Sequence, residues 1–218
     1  IVASGYAAVW ANENTREAIF AAMKRKEVYA TTGSRIRVRF FGGWNLKEEM
    51  IDRPNYEEMG YMHAVPMGGD LTRTKENQTP GFMFSAARDP LGANLDRVQI
   101  VKGWIDEQSQ LHEKVYDVAW SGDRETNDNG KLSPVTNTVD LKSGRYENSV
   151  GDESFTVKWI DPDFNVSQKS FYYARVLEIP TPRNTLFDSI ALQLDDPPRG
   201  AKIIQERAYS SPIWYHPK

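Results

Sequence analysis

The parts of this 218-residue chain that could do chemistry are three histidines, three alternating arginines, one acid- and amide-rich loop and a stock of six Trp, ten Tyr and nine Phe. His63, His112 and His216 lie far apart, and none stands in a His-x-His or His-Glu-x-x-His spacing, so no metal site is spelled out by them. They read as structural or surface residues. His63 is the best placed, because Met67-Gly68-Gly69-Asp70 follows closely and a Gly-Gly turn brings backbone near a ligand; the same turn serves equally well to join two strands. In Asp123 to Gly130, the residues Glu125, Asn127 and Asn129 match the register of a calcium loop ahead of its glycine. The twelfth position is Thr136, where a bidentate Glu is required, so a solvated hairpin loop is the better reading.

Arg35, Arg37 and Arg39 alternate with Ile36, Val38 and Phe40 directly after Thr31-Thr32-Gly33. Three guanidinium forks on one strand face could meet a phosphate or carboxylate, helped by the hydroxyls and N–H groups of the Thr-Thr-Gly turn. The competing reading, and the favoured one, is a solvated face that pairs with acids on the neighbouring strand. Thr31, Thr32, Arg35, His63 and Asp70 are therefore the candidate ligand-binding residues, with Thr31 to Arg35 the first choice. No catalytic residue and no metal ligand is assigned. The aromatic residues could build a sugar-binding surface, but most fall at alternating strand positions, where core packing accounts for them.

These residues must be positioned by elements that the pattern predicts. Asn14 as N-cap, Glu17 three residues on, an apolar face of Ala18, Ile19, Ala22 and Met23, and Lys24 to Lys26 at the end predict a helix from about Thr15 to Glu27. Arg35 to Phe40 alternates as a half-buried strand, which Gly42-Gly43 should break. The charged stretch 45–63 reads as a loop or lid insertion with one short helix. Strands follow at Phe82 to Ala87, Asp96 to Trp104, Glu113 to Trp120, Ser154 to Ile160 and Ser170 to Ile179, the last ended by Pro180 and Pro182. Asn184 to Leu192 predicts a short helix, and Ile213 to Tyr215 a final strand returning beside an early one. The triplets Tyr116/Val118/Trp120, Phe155/Val157/Trp159 and Tyr172/Ala174/Val176 each share one strand face, and a sandwich would give them a common core.

Several segments carry a family resemblance. Ala11 to Phe20 and Tyr29 to Ile36 resemble the close of the hydrolase domain in a large bacterial family of unknown function related to the PHP (polymerase and histidinol phosphatase) metal-dependent hydrolases. Val65 to Leu71, Arg88 to Trp104, Val115 to Ser121 and Arg207 to Tyr215 resemble the same family's C-terminal part. The resemblance implies that residues 1–42 are the last helix and strand of a truncated α/β barrel-like domain, and that residues 43–218 are a C-terminal β domain. The first residue is Ile, which suits a piece of a longer chain. The family's metal-ligand motifs do not occur here, so the resemblance implies an inactive part of a hydrolase, plausible against phosphate esters, whose divalent metal sits in the full-length protein. It also points to the periplasm or to secretion.

Composition narrows the partners. A net charge of −3 gives no basic surplus for nucleic acid. No apolar run has the length of a membrane span, and the absence of cysteine excludes disulfides and Cys-ligated zinc. The expected architecture is mainly β, an antiparallel sandwich-like domain preceded by the barrel remnant. Its expected partners are the parent hydrolase domain, an unidentified small-molecule substrate, and a second copy if the helix leaves an apolar face uncovered. The alternative to the hydrolase reading is an autonomous carbohydrate- or protein-binding module. An exposed aromatic platform would favour that alternative.

Overall fold

The computed structural model describes residues 5–51, 53–71, 78–128, 131–195 and 200–217. Its strands are β1 (Tyr6–Val9), β2 (Val28–Thr31), β3 (Arg37–Gly43), β4 (Val65–Pro66), β5 (Asp70–Leu71), β6 (Gly81–Ala87), β7 (Leu95–Ile105), β8 (Leu111–Trp120), β9 (Ser154–Ile160), β10 (Ser170–Glu178), β11 (Thr181–Pro182), β12 (Ile203–Ile204), β13 (Arg207–Ser210) and β14 (Ile213–Tyr215). The helices are α1 (Arg16–Lys24), α2 (Tyr56–His63) and α3 (Asn184–Leu192), with a 3-10 turn at Glu48–Met50. The fold is mainly β, and its sheets are almost wholly antiparallel.

In the larger sheet β10 is the hub. One edge pairs along its length with β7, which in turn carries β8; the other edge pairs first with β14 and then with β13. β2 joins β13 and brings β1 with it, while β14 also pairs in parallel with β5, so the last strand does return beside an early one. The second sheet runs β4-β3-β6-β9. Inward residues of both sheets share one core: Val38, Phe40, Phe82 and Phe84 from the second, Ile100, Tyr172, Val176 and Ile213 from the first. Phe82 meets Tyr172 across the interface with ring centroids 4.4 Å apart. Such burial of aromatic and branched side chains stabilises by roughly 1.5–3 kcal/mol each and holds the two faces in register.

Several expectations need correction. Thr15, not Asn14, caps α1, its hydroxyl accepting from the Ala18 N–H, and the helix ends at Lys24 because Lys26 turns left-handed at φ 62°. Gly42 and Gly43 continue β3 instead of breaking it. Gly42 lies under the Phe82 ring, where a Cβ would come within 2.9 Å, so the glycine serves close packing within a strand. On β8 a bulge at Val118 reverses the alternation: Ala119 packs on the core and Trp120 faces Arg97 on the outward side. The α/β-barrel remnant is not shown. The strands of residues 1–42 belong to the same two sheets, with β2 between β1 and β13 and β3 between β4 and β6, and α1 connects β1 to β2. No helix among the described residues is long and apolar enough to cross a membrane.

Candidate functional site

Side chains alternate across a strand, so a β10 that sends Tyr172, Ala174 and Val176 into the core must send Phe171 and Tyr173 out. Pairing extends that outward row sideways. Trp214 of β14 lies opposite Phe171, and Tyr209 of β13 lies opposite Arg175, with His216 continuing beyond β14. The result is a band of half-buried rings that ends at the exposed His216. Phe171 and Trp214 are 5.1 Å apart, Phe171 and Tyr173 are 6.5 Å apart and nearly parallel, Tyr173 and Tyr209 are 6.4 Å apart, and the His216 ring is parallel to Trp214 at 6.3 Å.

A glycine gives the band its depth. Gly103 of β7 faces outward beside Phe171, and a Cβ there would sit 2.4 Å from the Phe171 ring. The ring therefore lies down over the backbone and leaves a cavity of about 410 Å³ between Phe171, Trp214, Ile105, Leu111 and the polar Glu113, Lys169 and His216. Leu111 is 82 % exposed, so the apolar rim is open to solvent. Below the band, Trp104 stacks on His112 at 5.1 Å, and His112 bonds the Asp106 carboxylate at 2.6 Å, which holds that carboxyl below the usual range.

The residues singled out in the sequence are dispersed over the structure. Thr31 closes β2 and lines a cleft of about 710 Å³ with Arg35, Arg37, Asp89 and Leu91; its hydroxyl is buried without a hydrogen-bond partner among the described residues. Thr32 donates its hydroxyl to Glu206 and accepts the Arg207 N–H, so it ties β2 to β13 and does not face that cleft's lining. Arg35 donates its backbone N–H to Asp89 at 3.0 Å. His63 ends α2 beside Gly43 and Val65, whereas Asp70 on β5 lies 3.7 Å from His216. The structure thus brings Thr31 and Arg35 together, separates Thr32 from them in role, and pairs Asp70 with His216. The expected acids opposite the arginine stripe are absent from the neighbouring strand, which offers Ser85 and Ala87. Of the loop 123–130, Asn129 and Gly130 lie outside the described residues; Asn127 accepts from the Lys131 N–H and Thr126 bridges Leu132, a hairpin arrangement.

Behind the Thr31 turn, Glu178 is 2 % exposed and its carboxyl is pushed up to about 7, first by burial and then by the charges of Glu206 and Asp89, with the Ser34 hydroxyl opposing. Among the described residues no three His, Cys, Asp or Glu side chains are grouped to hold a metal. The aromatic band was missed in the sequence because its rings alternate with equally aromatic core positions. The available signal was Phe171-Tyr172-Tyr173, which places rings on both faces of one strand.

Comparison with known proteins gives a family and no activity. The family model described as protein of unknown function (DUF3604) matches residues 1–217. No curated protein and no solved structure matches the chain. The family match overturns the resemblance to PHP-related hydrolases, since nothing in it links the chain to those enzymes or to a C-terminal fragment of one.

Proposed function

The chain belongs to the DUF3604 family, whose description assigns no activity, and we propose from the geometry of its outer sheet face that it is a binding module for carbohydrate. The observation that carries the proposal is the Phe171/Trp214 pair over Gly103, with Tyr173, Tyr209 and His216 extending it.

Flat rings on a sandwich-like sheet present apolar faces that match the C–H face of a pyranose, while Glu113, Lys169 and His216 at the edge suit its hydroxyls. A row of rings on one sheet face suits a chain of sugars better than a single one. The acidic net charge argues against nucleic acid as the stacking partner.

Titration of a panel of soluble oligosaccharides, followed by tryptophan fluorescence and calorimetry, tests this reading. Binding by the wild type should weaken roughly two- to tenfold in F171A or W214A, as expected for loss of about 0.5–1.5 kcal/mol from one ring contact. A panel that produces no heat and no fluorescence change overturns the proposal, as does binding that both variants retain in full.

A further inference from the structure

The second sheet has its own outward face, and α2 covers only part of it. Near α2, Phe41, Met83 and Tyr56 form a small apolar cluster, with the Phe41 ring packed against Gly60. Further along β3 the register sets Arg39, Ser85 and Thr156 in one row and Arg37, Ala87 and Ser154 in the next. Because the β6 and β9 residues in these rows are short, the two arginines overhang a groove of about 240 Å³ floored by hydroxyls.

The two arginines differ in what they already hold. The Arg39 guanidinium lies 3.4 Å over the Trp10 ring, donates to the Tyr61 hydroxyl at 2.6 Å and stands 3.7 Å from Glu27. Its charge is answered, and its plane is fixed. Arg37 is exposed and has no carboxylate within ion-pair distance among the described residues, although Glu57 borders the same groove. It also borders the cleft of Thr31 and Arg35, so one unengaged fork stands between two openings.

We propose that Arg37, with Ser154 and Thr156, binds an oxyanion group, whether phosphate, sulfate or carboxylate, in the groove between β3 and β9. The guanidinium supplies two parallel donors, which match two oxygens of any of these groups, and the serine and threonine hydroxyls can donate to a third oxygen of phosphate or sulfate, or to the free lone pairs of a carboxylate. Arg39, clamped by Trp10 and Tyr61 and paired with Glu27, forms a fixed wall of the groove and leaves the anion to Arg37. This site is separate from the aromatic band, and neither proposal depends on the other.

The test titrates inorganic phosphate, sulfate and D-glucuronate separately into the full chain at low ionic strength and follows backbone amide shifts at 37, 85, 154 and 156. At least one anion should shift these signals with a Kd near 1 mM, weakening about tenfold in R37Q and less in R37K, which keeps the charge but loses the fork. Binding should also fall as NaCl is raised. The arm that responds identifies the anion. The proposal is overturned if no probe shifts these signals below about 50 mM, or if R37Q, with its amide spectrum otherwise unchanged, binds as the wild type does.

Discussion

Glu178 is a side chain whose environment opposes its charge, and that has a consequence for stability. Its Oε1 is buried without a hydrogen-bond partner among the described residues, and Glu206 and Asp89 add like charge. A carboxyl pushed up to about 7 in the folded chain binds a proton more tightly folded than unfolded, where the ordinary value is 4.5. Below the unfolded value the group contributes no penalty; stability is then lost as pH rises towards 7, and the loss is complete above it. E178Q should therefore be more stable than wild type at pH 8, by roughly 1–3 kcal/mol in urea unfolding, with the advantage shrinking towards pH 4.5. Parallel pH profiles for the two proteins would show that Glu178 is not the group responsible. Asp161 is the opposite case. It is buried and accepts from Lys102 at 2.6 Å and from the Tyr172 hydroxyl at 2.7 Å, while Lys102 also donates to the Asp163 carbonyl. D161A leaves the Lys102 ammonium buried without its counter-charge, so a loss of about 3–5 kcal/mol is expected. A change under about 1 kcal/mol would mean that Lys102 swings out to water.

Among the elements, the tightest constraint is the turn between β4 and β5. Gly68 has φ 86°, and a Cβ there would lie 2.3 Å from the Lys26 carbonyl oxygen, while its N–H donates to the Pro212 carbonyl. One residue thus holds the end of α1, the β4–β5 turn and the β13–β14 connection together. G68A adds both a left-handed strain and a backbone collision, so a loss of about 2 kcal/mol or more is expected by thermal unfolding. A neutral result would show that the α1 end yields freely. The Gly68-Gly69 pair was visible in the sequence as a turn, but that the turn abuts Lys26 was not, because the contact joins residues far apart in the chain. The same limit explains the rest. β6, β9, β10, β14 and α3 were legible because branched and aromatic residues cluster between turn signals at Phe82, Phe155, Tyr172, Ile213 and Leu186. β2 and β13 were not, since Val28–Thr31 and Arg207–Ser210 are four-residue strands whose pairing with each other, and not their composition, makes them strands. Thr31 and Arg35 could be singled out as neighbours in sequence, whereas the Asp89 beside them and the Phe171/Trp214 pair depend on register. The bulge at Val118 carries no sequence signal that distinguishes Trp120 from Tyr116.

The whole molecule turns on how residues 1–42 relate to the rest. The residue pattern gives residues 1–42 a helix and a strand, too little to bury an apolar face alone, and the sheets show what they pack on. β2 bonds along β13, the Thr32 hydroxyl accepts from the Arg207 N–H, and the Trp10 indole donates to the Val38 carbonyl at 2.9 Å, linking the first sheet's edge to the second sheet's interior. β3 separates β4 from β6, and its Val38 and Phe40 are fully buried. Removing residues 1–42 would take β1, β2 and all but the last residue of β3, opening the core at Phe82 and Phe84 and exposing the edge of β6. Burial lost on that scale exceeds the roughly 5–15 kcal/mol by which a domain is stable. A chain trimmed to residues 43–218 should therefore lack a cooperative thermal transition and dispersed amide signals, and its open β6 edge should promote aggregation. A trimmed chain that melts sharply and stays monomeric in sedimentation would show instead that the sheets close without β3, and that the first 42 residues are a separable unit docked on a self-sufficient one.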